Sequence, residues 1–228
     1  MLSAIVLAAG KGRRLNAAVP KPLVKIGSKP AVVHSLDTLN KHPGIGEIIV
    51  VLSLANQGKI IKVIKRYSFK KIKVFVLGGR RRQDSVYNGL RAVSKDSDWV
   101  LIHDSARPFV DSRFITKVIQ AAKKSGSAIL AVKPKATIKS CLQGGIINET
   151  LDRGKLWEAQ TPQVFKKNLL LEAYKKYSRD DVTDDASLVE KLGKRIKIVE
   201  GDYSNIKITT CEDLLVAGLI IKRKSHAV

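Results

Sequence analysis

Short apolar runs and amphipathic stretches alternate along the first 132 residues, and this alternation restricts the fold more than any other feature of the chain. The runs are SAIVL (3–7), EIIVVL (47–52), KVFVL (73–77), WVLIH (99–103) and AILAV (128–132). Continuous apolar runs of this length suit strands buried on both faces. Helical stretches lie between them. AVVHSLDTLNKH (31–42) follows Pro30, read as a first helical position, and stops at Pro43-Gly44. QDSVYNGLRAVS (83–94) sets Val86, Leu90 and Val93 at helical spacing. DSRFITKVIQAAKKSG (111–126) opens on a capping aspartate, Asp111, and ends on Gly126. Such alternation predicts an α/β fold, a mostly parallel sheet with helices on both faces.

The alternation breaks at 133–157. KPKATIKSCLQGGIINETLDRGKLW has no helical period, and Gly144-Gly145 separates two extended segments. This reads as a projecting β-hairpin. An isolated two-stranded hairpin is marginal in water, so Ile138, Leu142, Ile146, Ile147 and Leu151 need a surface. Either the domain body or a second copy of the chain supplies it. We favour the second copy, which makes 134–156 an arm for dimerisation on a single domain, 1–228. Beyond the arm come two helices, KKNLLLEAYKKY (166–177) and DDASLVEKLG (184–193), a strand RIKIVE (195–200) and a last helix EDLLVAGLIIKRK (212–224). Thr209 and Glu212 are spaced as a capping box in front of that helix.

Composition narrows the functional classes. A formal net charge of +22 attracts polyanions, whether nucleic acid, anionic membrane or phosphorylated small molecules. The lysines are spread along the whole chain, so only cations at special backbone positions carry information. Aromatic residues are 5% of the chain and are not interleaved with the basic ones, which argues against specific nucleic-acid binding. No run of about 18 apolar residues exists to span a membrane, and the N-terminus lacks a basic signal-peptide region. Cys141 and Cys211 are far apart and not at ligand spacing with histidine, which points to a reducing cytoplasm rather than a disulfide framework.

In open α/β sheets ligands bind beyond the carboxyl ends of the strands. After the first strand comes AAGKGRR (8–14) and then Pro20-Lys21-Pro22; after the third, GGRRR (78–82) and Asp84-Ser85; after the fourth, HDSARP (103–108). Thr137 follows the fifth strand, and Lys207 sits near the end in NIKIT. Glycines, cations and one carboxylate therefore gather at one edge. Gly10 and Gly12 have no third glycine and no acid about 20 residues on, and no Gly-Lys-Ser/Thr follows, so neither a dinucleotide fingerprint nor a P-loop is present. What remains is a glycine-rich loop whose N–H groups can approach phosphate oxygens, with Lys11, Arg14 and Lys21 to neutralise charge. Arg80 and Arg81 read as a solvated run, Asp84 as a helix N-terminal charge and His103 as a support for the turn.

LAAGKGRR…PKP, GGRRRQDSV, VLIHDSARPFV, TLDRGKLWEAQTPQVF, VTDDASLVE and EGDYSNIKITTCEDL occur in order over nearly the whole chain. In these motifs the sequence resembles the 2-C-methyl-D-erythritol 4-phosphate cytidylyltransferases. The resemblance implies a Rossmann-like sheet of nucleotidyltransferase type, and transfer of CMP from CTP to methylerythritol phosphate with magnesium as cofactor. It implies Arg14 and Lys21 as a triphosphate clamp and Lys207 as a bridge between CTP and the substrate phosphate. Ala8, Ala9, Gly10, Gly12, Gly79, Ser85 and Ser105 would contact CTP. Asp104 would hold the magnesium–phosphate assembly or the erythritol hydroxyls, and Arg107 would anchor the sugar phosphate. Thr137 and Arg153, in the arm, would reach the substrate of a neighbouring subunit of a homodimer; Thr161 and Thr183 are further substrate-side candidates. A ribitol 5-phosphate cytidylyltransferase shares the glycine loop and an HD…RPF motif and stays open as an alternative. A basic nucleic-acid-binding protein on an enzyme scaffold is the alternative from another class.

Overall fold

The computed structural model describes residues 1–225 apart from Lys11, Arg13, Arg14 and 16–18. In chain order it contains β1 (Leu2–Ala8), a small ladder of β2 (Lys25–Ile26) and β3 (Lys29–Pro30), α1 (Ala31–Lys41), β4 (Glu47–Leu52), α2 (Gln57–Ile64), β5 (Ile72–Leu77), α3 (Arg82–Arg91) and β6 (Trp99–Asp104). Next are α4 (Ser112–Ser125), β7 (Ser127–Val132), β8 (Lys139–Cys141), β9 (Ile147–Thr150), β10 (Glu158–Lys166), α5 (Lys167–Lys176), α6 (Asp185–Lys191), β11 (Lys197–Glu200) and α7 (Cys211–Ser225).

Among the described residues, seven strands form the main sheet in the order β11-β7-β10-β6-β1-β4-β5. All neighbours are parallel except β10, which runs antiparallel to both β6 and β7. Side chains alternate across it, as the two-residue period of a strand requires. Ala4 and Val6 of β1 and Ile48, Val50 and Leu52 of β4 share one buried cluster with Leu36 of α1, Ile60 of α2 and Val118 of α4. Ile5, Ile49, Val51 and Ile102 face the other way and pack with Val86 of α3, Leu170 of α5 and Leu188 of α6. Burial on both faces is why these strands read as unbroken apolar runs, each large side chain contributing roughly 1.5–3 kcal/mol.

The mostly parallel sheet, the helices on both faces and the hairpin agree with the sequence reading. Asp111 caps α4 by accepting from Arg113 N at 2.8 Å, and Gly126 closes it at φ 87°. Three local readings are corrected. Pro30 is the N-cap of α1, one position earlier than expected. The box before α7 is closed by Asp213, not Glu212: its carboxylate accepts from Thr209 N at 2.7 Å and Thr210 N at 2.9 Å. The largest is β10, which the sequence reading did not foresee. Pro162 interrupts its pattern, and the strand tolerates it because pairing shifts register between Ala159 and Gln163.

β1 pairs with β4 on one side and β6 on the other. The chain winds outward from β1 through β4 to β5, then returns to build β6 on the opposite flank. Such a reversal leaves a crevice where the two following loops diverge. Leu7 lies level with Asp104, so those loops begin side by side.

The opposite end of the sheet is anchored by Glu47, buried at the start of β4. It accepts from Ser3 Oγ at 2.5 Å, Ser94 Oγ at 2.6 Å and Ser94 N at 2.8 Å, and pairs with Lys73 Nζ at 3.1 Å. Burial opposes its charge, but the Ser3, Ser94 and Lys73 hydrogen bonds prevail and bring its pKa down to about 2. A depressed carboxylate pKa stabilises the fold above the unfolded value, near 4.5, and that stability is lost as pH falls toward about 2. Glu47→Gln is therefore expected to cost about 2 kcal/mol at pH 7, with the deficit shrinking through that acid window in urea unfolding.

Candidate active site

A cleft of about 520 Å³ opens above the carboxyl ends of β1 and β6. Ala9, Gly10 and Gly12 form one wall and Lys21 and Pro22 continue it. The opposite wall is Gly79, Arg80 and Arg81 after β5, with Arg82 and Ser85 from the start of α3. Asp104, Ser105 and Ala106 make the floor, and Lys207 and Thr209 close the side toward α7.

The backbone is shaped by two glycines in particular. Gly12 has φ +63°, and a Cβ there would lie 2.8 Å from Lys21 Cβ. At Gly79 a Cβ would lie 2.3 Å from Asp84 Cβ, so only glycine lets this loop lie against the first turn of α3. Ser85 Oγ accepts from Gly79 N and donates to Arg81 O, both at 3.1 Å. Ser105 Oγ donates to Leu7 O at 2.8 Å, tying the β6 turn to the end of β1.

Charge is arranged in an alternating chain. Lys207 Nζ lies 2.6 Å from Asp104 Oδ2, Arg82 Nη2 lies 3.4 Å from Asp104 Oδ1, and Arg82 Nη1 lies 2.8 Å from Asp185 Oδ2. Tyr174 OH donates to Asp185 Oδ1 at 2.5 Å. The planar arginine fork is suited to joining two carboxylates. Burial alone disfavours the Asp104 carboxylate, but Arg82, Lys207 and Arg107 outweigh it and hold its pKa well below the usual range. Arg82 is likewise opposed by burial and held charged by Asp185 and Asp104. Burial and the neighbouring Asp185 push the Tyr174 hydroxyl far up, so it stays a donor.

Of the residues singled out in the sequence, Ala9, Gly10, Gly12, Lys21, Gly79, Ser85, Asp104, Ser105 and Lys207 line the cleft together. Ala8 is buried in the core just beneath it. Arg14 lies outside the described residues. Arg107 sits below the floor, donating from Nη1 to Asn205 O at 2.7 Å and from Nη2 to Ala159 O at 3.2 Å. Thr161 is buried, with Oγ1 3.1 Å from Asp104 N and 3.0 Å from His103 Nδ1. His103 is also fully buried, as its reading as a turn support requires, with Nε2 3.1 Å from Arg107 O and a pKa lowered to about 4 by burial. Thr137 and Arg153 are exposed at the base of the arm, where Arg153 Nη1 donates to Lys135 O at 2.9 Å. Thr183 is exposed just before α6 and is not on the cleft wall.

Arg81 departs from the solvated reading. Its guanidinium pairs with Asp84 at 2.7 Å and donates to the carbonyls of Ser178 and Asp180. Asp84 does sit in the first turn of α3, as expected. Arg82, Asp185 and Tyr174 were not singled out. Nothing in GGRRRQDSV separates Arg82 from its two neighbours, and only the packing of α3 against α5 and α6 does so.

A family profile described as "IspD: 2-C-methyl-D-erythritol 4-phosphate cytidylyltransferase" matches residues 2–223. The 2-C-methyl-D-erythritol 4-phosphate cytidylyltransferase of Geobacillus thermodenitrificans is 44% identical over 220 residues, 96% of each chain. That of Syntrophus aciditrophicus is 45% identical over 224 residues, 97% of this chain and 96% of its own. The crystal structure of 4-diphosphocytidyl-2C-methyl-D-erythritol synthase from Anaerococcus prevotii superposes with a TM-score of 0.86 at 35% identity, covering 97% of this chain and 96% of the other.

The charge chain is testable without any ligand. Arg82→Met strands Asp185, a fully buried carboxylate, and is expected to cost about 3 kcal/mol in denaturant unfolding. An unchanged midpoint would show that Asp185 does not depend on this partner.

Proposed function

This chain belongs to the 2-C-methyl-D-erythritol 4-phosphate cytidylyltransferase family, and we infer that the cleft at the β1/β6 crevice is where its reaction takes place. The enzyme transfers CMP from CTP to 2-C-methyl-D-erythritol 4-phosphate, a step in making isoprenoid precursors. A phosphate oxygen of the alcohol attacks the α-phosphorus of CTP. The bond from that phosphorus to the bridging oxygen breaks, and pyrophosphate leaves with the electron pair. The nucleophile is a phosphate monoester with a second pKa near ~6, already largely dianionic at neutral pH, so no general base is needed. The barrier is electrostatic: an anion must approach a triphosphate. Catalysis then rests on alignment and charge neutralisation.

One observation carries the assignment. Among the described residues, Lys21, Arg80, Arg81, Arg82 and Lys207 line the cleft against a single carboxylate, Asp104. In our reading Lys21, with Arg14, stabilises the crowded α-phosphate, and Lys207 bridges the two substrates. The open backbone at Ala9 and Gly10, with Gly12, Gly79, Ser85 and Ser105, cradles the nucleotide. A tight cradle admits cytosine more readily than a purine. Among the described residues no three acidic, histidine or cysteine side chains converge as a metal cage. Magnesium is commonly held by one or two carboxylates plus substrate phosphates. In our reading Asp104 is the carboxylate that would hold it, and the ion when bound would neutralise phosphate charge.

We also read the chain as a homodimer. Leu142, Ile146 and Ile147 of the β8–β9 arm are each more than half exposed, which supports docking on a second copy. Thr137 and Arg153 would then serve the partner's substrate. No helix among the described residues is long and apolar enough to cross a membrane, and both cysteines are free. Soluble phosphorylated substrates and free thiols fit a cytoplasmic enzyme.

Lys21→Ala is expected to lower kcat by roughly 100-fold or more, the loss of one transition-state cation, and Arg14→Ala likewise. Steady-state pyrophosphate release with methylerythritol phosphate and ribitol phosphate side by side tests both assignments. Turnover confined to the ribitol compound would overturn the substrate. Arg153→Ala is expected to act mainly on the KM of the alcohol; wild-type kinetics, or a monomer by sedimentation at micromolar concentration, would count against the arm.

A further inference from the structure

We propose that Thr161 and His103 are positioning residues that hold the Asp104–Arg107 turn from beneath. This inference deepens the function proposed above and rests on that assignment of the cleft.

The proposal follows from the direction in which protons can be shared. Asp104 N–H can only donate, and Thr161 Oγ1 lies 3.1 Å away as its acceptor. Arg107 O can only accept, and His103 Nε2 lies 3.1 Å from it. Between them Thr161 Oγ1 and His103 Nδ1 are 3.0 Å apart. One arrangement satisfies every group: Asp104 N–H donates to Thr161, the threonine hydroxyl donates to a bare Nδ1, and Nε2–H donates to Arg107 O. The opposite tautomer would set two acceptors, Nε2 and the Arg107 carbonyl, against each other. Both ends of this relay are backbone groups of the same turn, which Arg107 N also closes onto Asp104 O at 2.9 Å. His103 and Thr161 are buried, at 0% and 4% exposure, so water cannot substitute for either link.

The consequence is positional. The turn presents Asp104, Ser105 and Ala106 to the cleft, and its backbone direction sets where the Asp104 carboxylate meets Lys207 and Arg82. Thr161 comes from β10, whose neighbouring Thr161 O accepts from Asn205 Nδ2 at 2.9 Å. Asn205 lies two residues before Lys207, so one buried strand segment steadies both the carboxylate and the loop of its cationic partner.

The tautomer is read by nitrogen NMR of histidine-labelled full-length protein near neutral pH, with His103 assigned by elimination using variants at the other three histidines. A protonated Nε2 and a bare Nδ1 are expected. A protonated Nδ1 with a bare Nε2 would overturn the proposal. In kinetics Thr161→Val is expected to lower kcat/KM by roughly 10- to 100-fold, mostly in kcat, and Thr161→Ser to recover most of it. Wild-type kinetics for Thr161→Val would overturn the proposal. So would a loss confined to the KM of the alcohol, which is the mark of a direct substrate contact. If the valine variant does not fold, the serine variant and the wild-type spectrum still decide. An inactive wild type with the expected tautomer would reject the cytidylyl-transfer reading and leave the relay standing.

Discussion

A cleft that is to receive two phosphates must hold several cations close together before either phosphate arrives. Asp104 makes this tolerable. Its carboxylate lies between Lys207 at 2.6 Å and Arg82 at 3.4 Å, and among the described residues it is the single acid on a wall that carries five cations. A lone buried carboxylate would cost several kcal/mol, and crowded cations would repel one another. Together they compensate. Arg82 extends the compensation inward to Asp185, which takes a further hydrogen bond from Tyr174, so the charged floor is braced from the helical layer behind it.

The sheet reversal places this carboxylate. Because β6 returns to the flank of β1 opposite β4, the glycine-rich loop after Ala8 and the turn after Asp104 begin at the same level. The loop after β5 folds over the start of α3 because Gly79 has no side chain, and that brings Arg80, Arg81 and Arg82 to the opposite wall. Cations far apart in sequence thereby share one volume small enough for phosphates to meet several at once. On the proposed reading the reaction follows from that concentration of charge, with no proton-transfer group required.

The antiparallel β10 gives the arm and the cleft a common support. It leaves the hairpin at Glu158, passes through the register shift at Gln160–Pro162 and enters the sheet between β6 and β7. At that shift Gln160 and Thr161 turn toward the cleft floor, where Asn205 and His103 meet them. The strand that anchors the projecting arm is thus also the strand on which the turn at the cleft floor rests.

What the sequence determined by itself was the local periodicity and the chemistry at strand ends. Runs such as EIIVVL could only be buried strands, Asp111 and Gly126 bounded a helix, and Gly10, Lys21, Asp104 and Lys207 marked the edge where a ligand would sit. Its motifs also carried the family. Tertiary structure alone decided the rest, because neighbours across the fold have no signature in local pattern. Arg82 looks like Arg80 and Arg81 until Asp104 and Asp185 close on it. Nothing in QTPQ shows that Thr161 lies under Asp104 N–H and beside His103. β10 has no clear strand signature, since a proline within a strand is tolerated only where partner strands yield in register. Pairing and burial are properties of the packed chain, and they set which of several similar side chains is buried, charged and held in place.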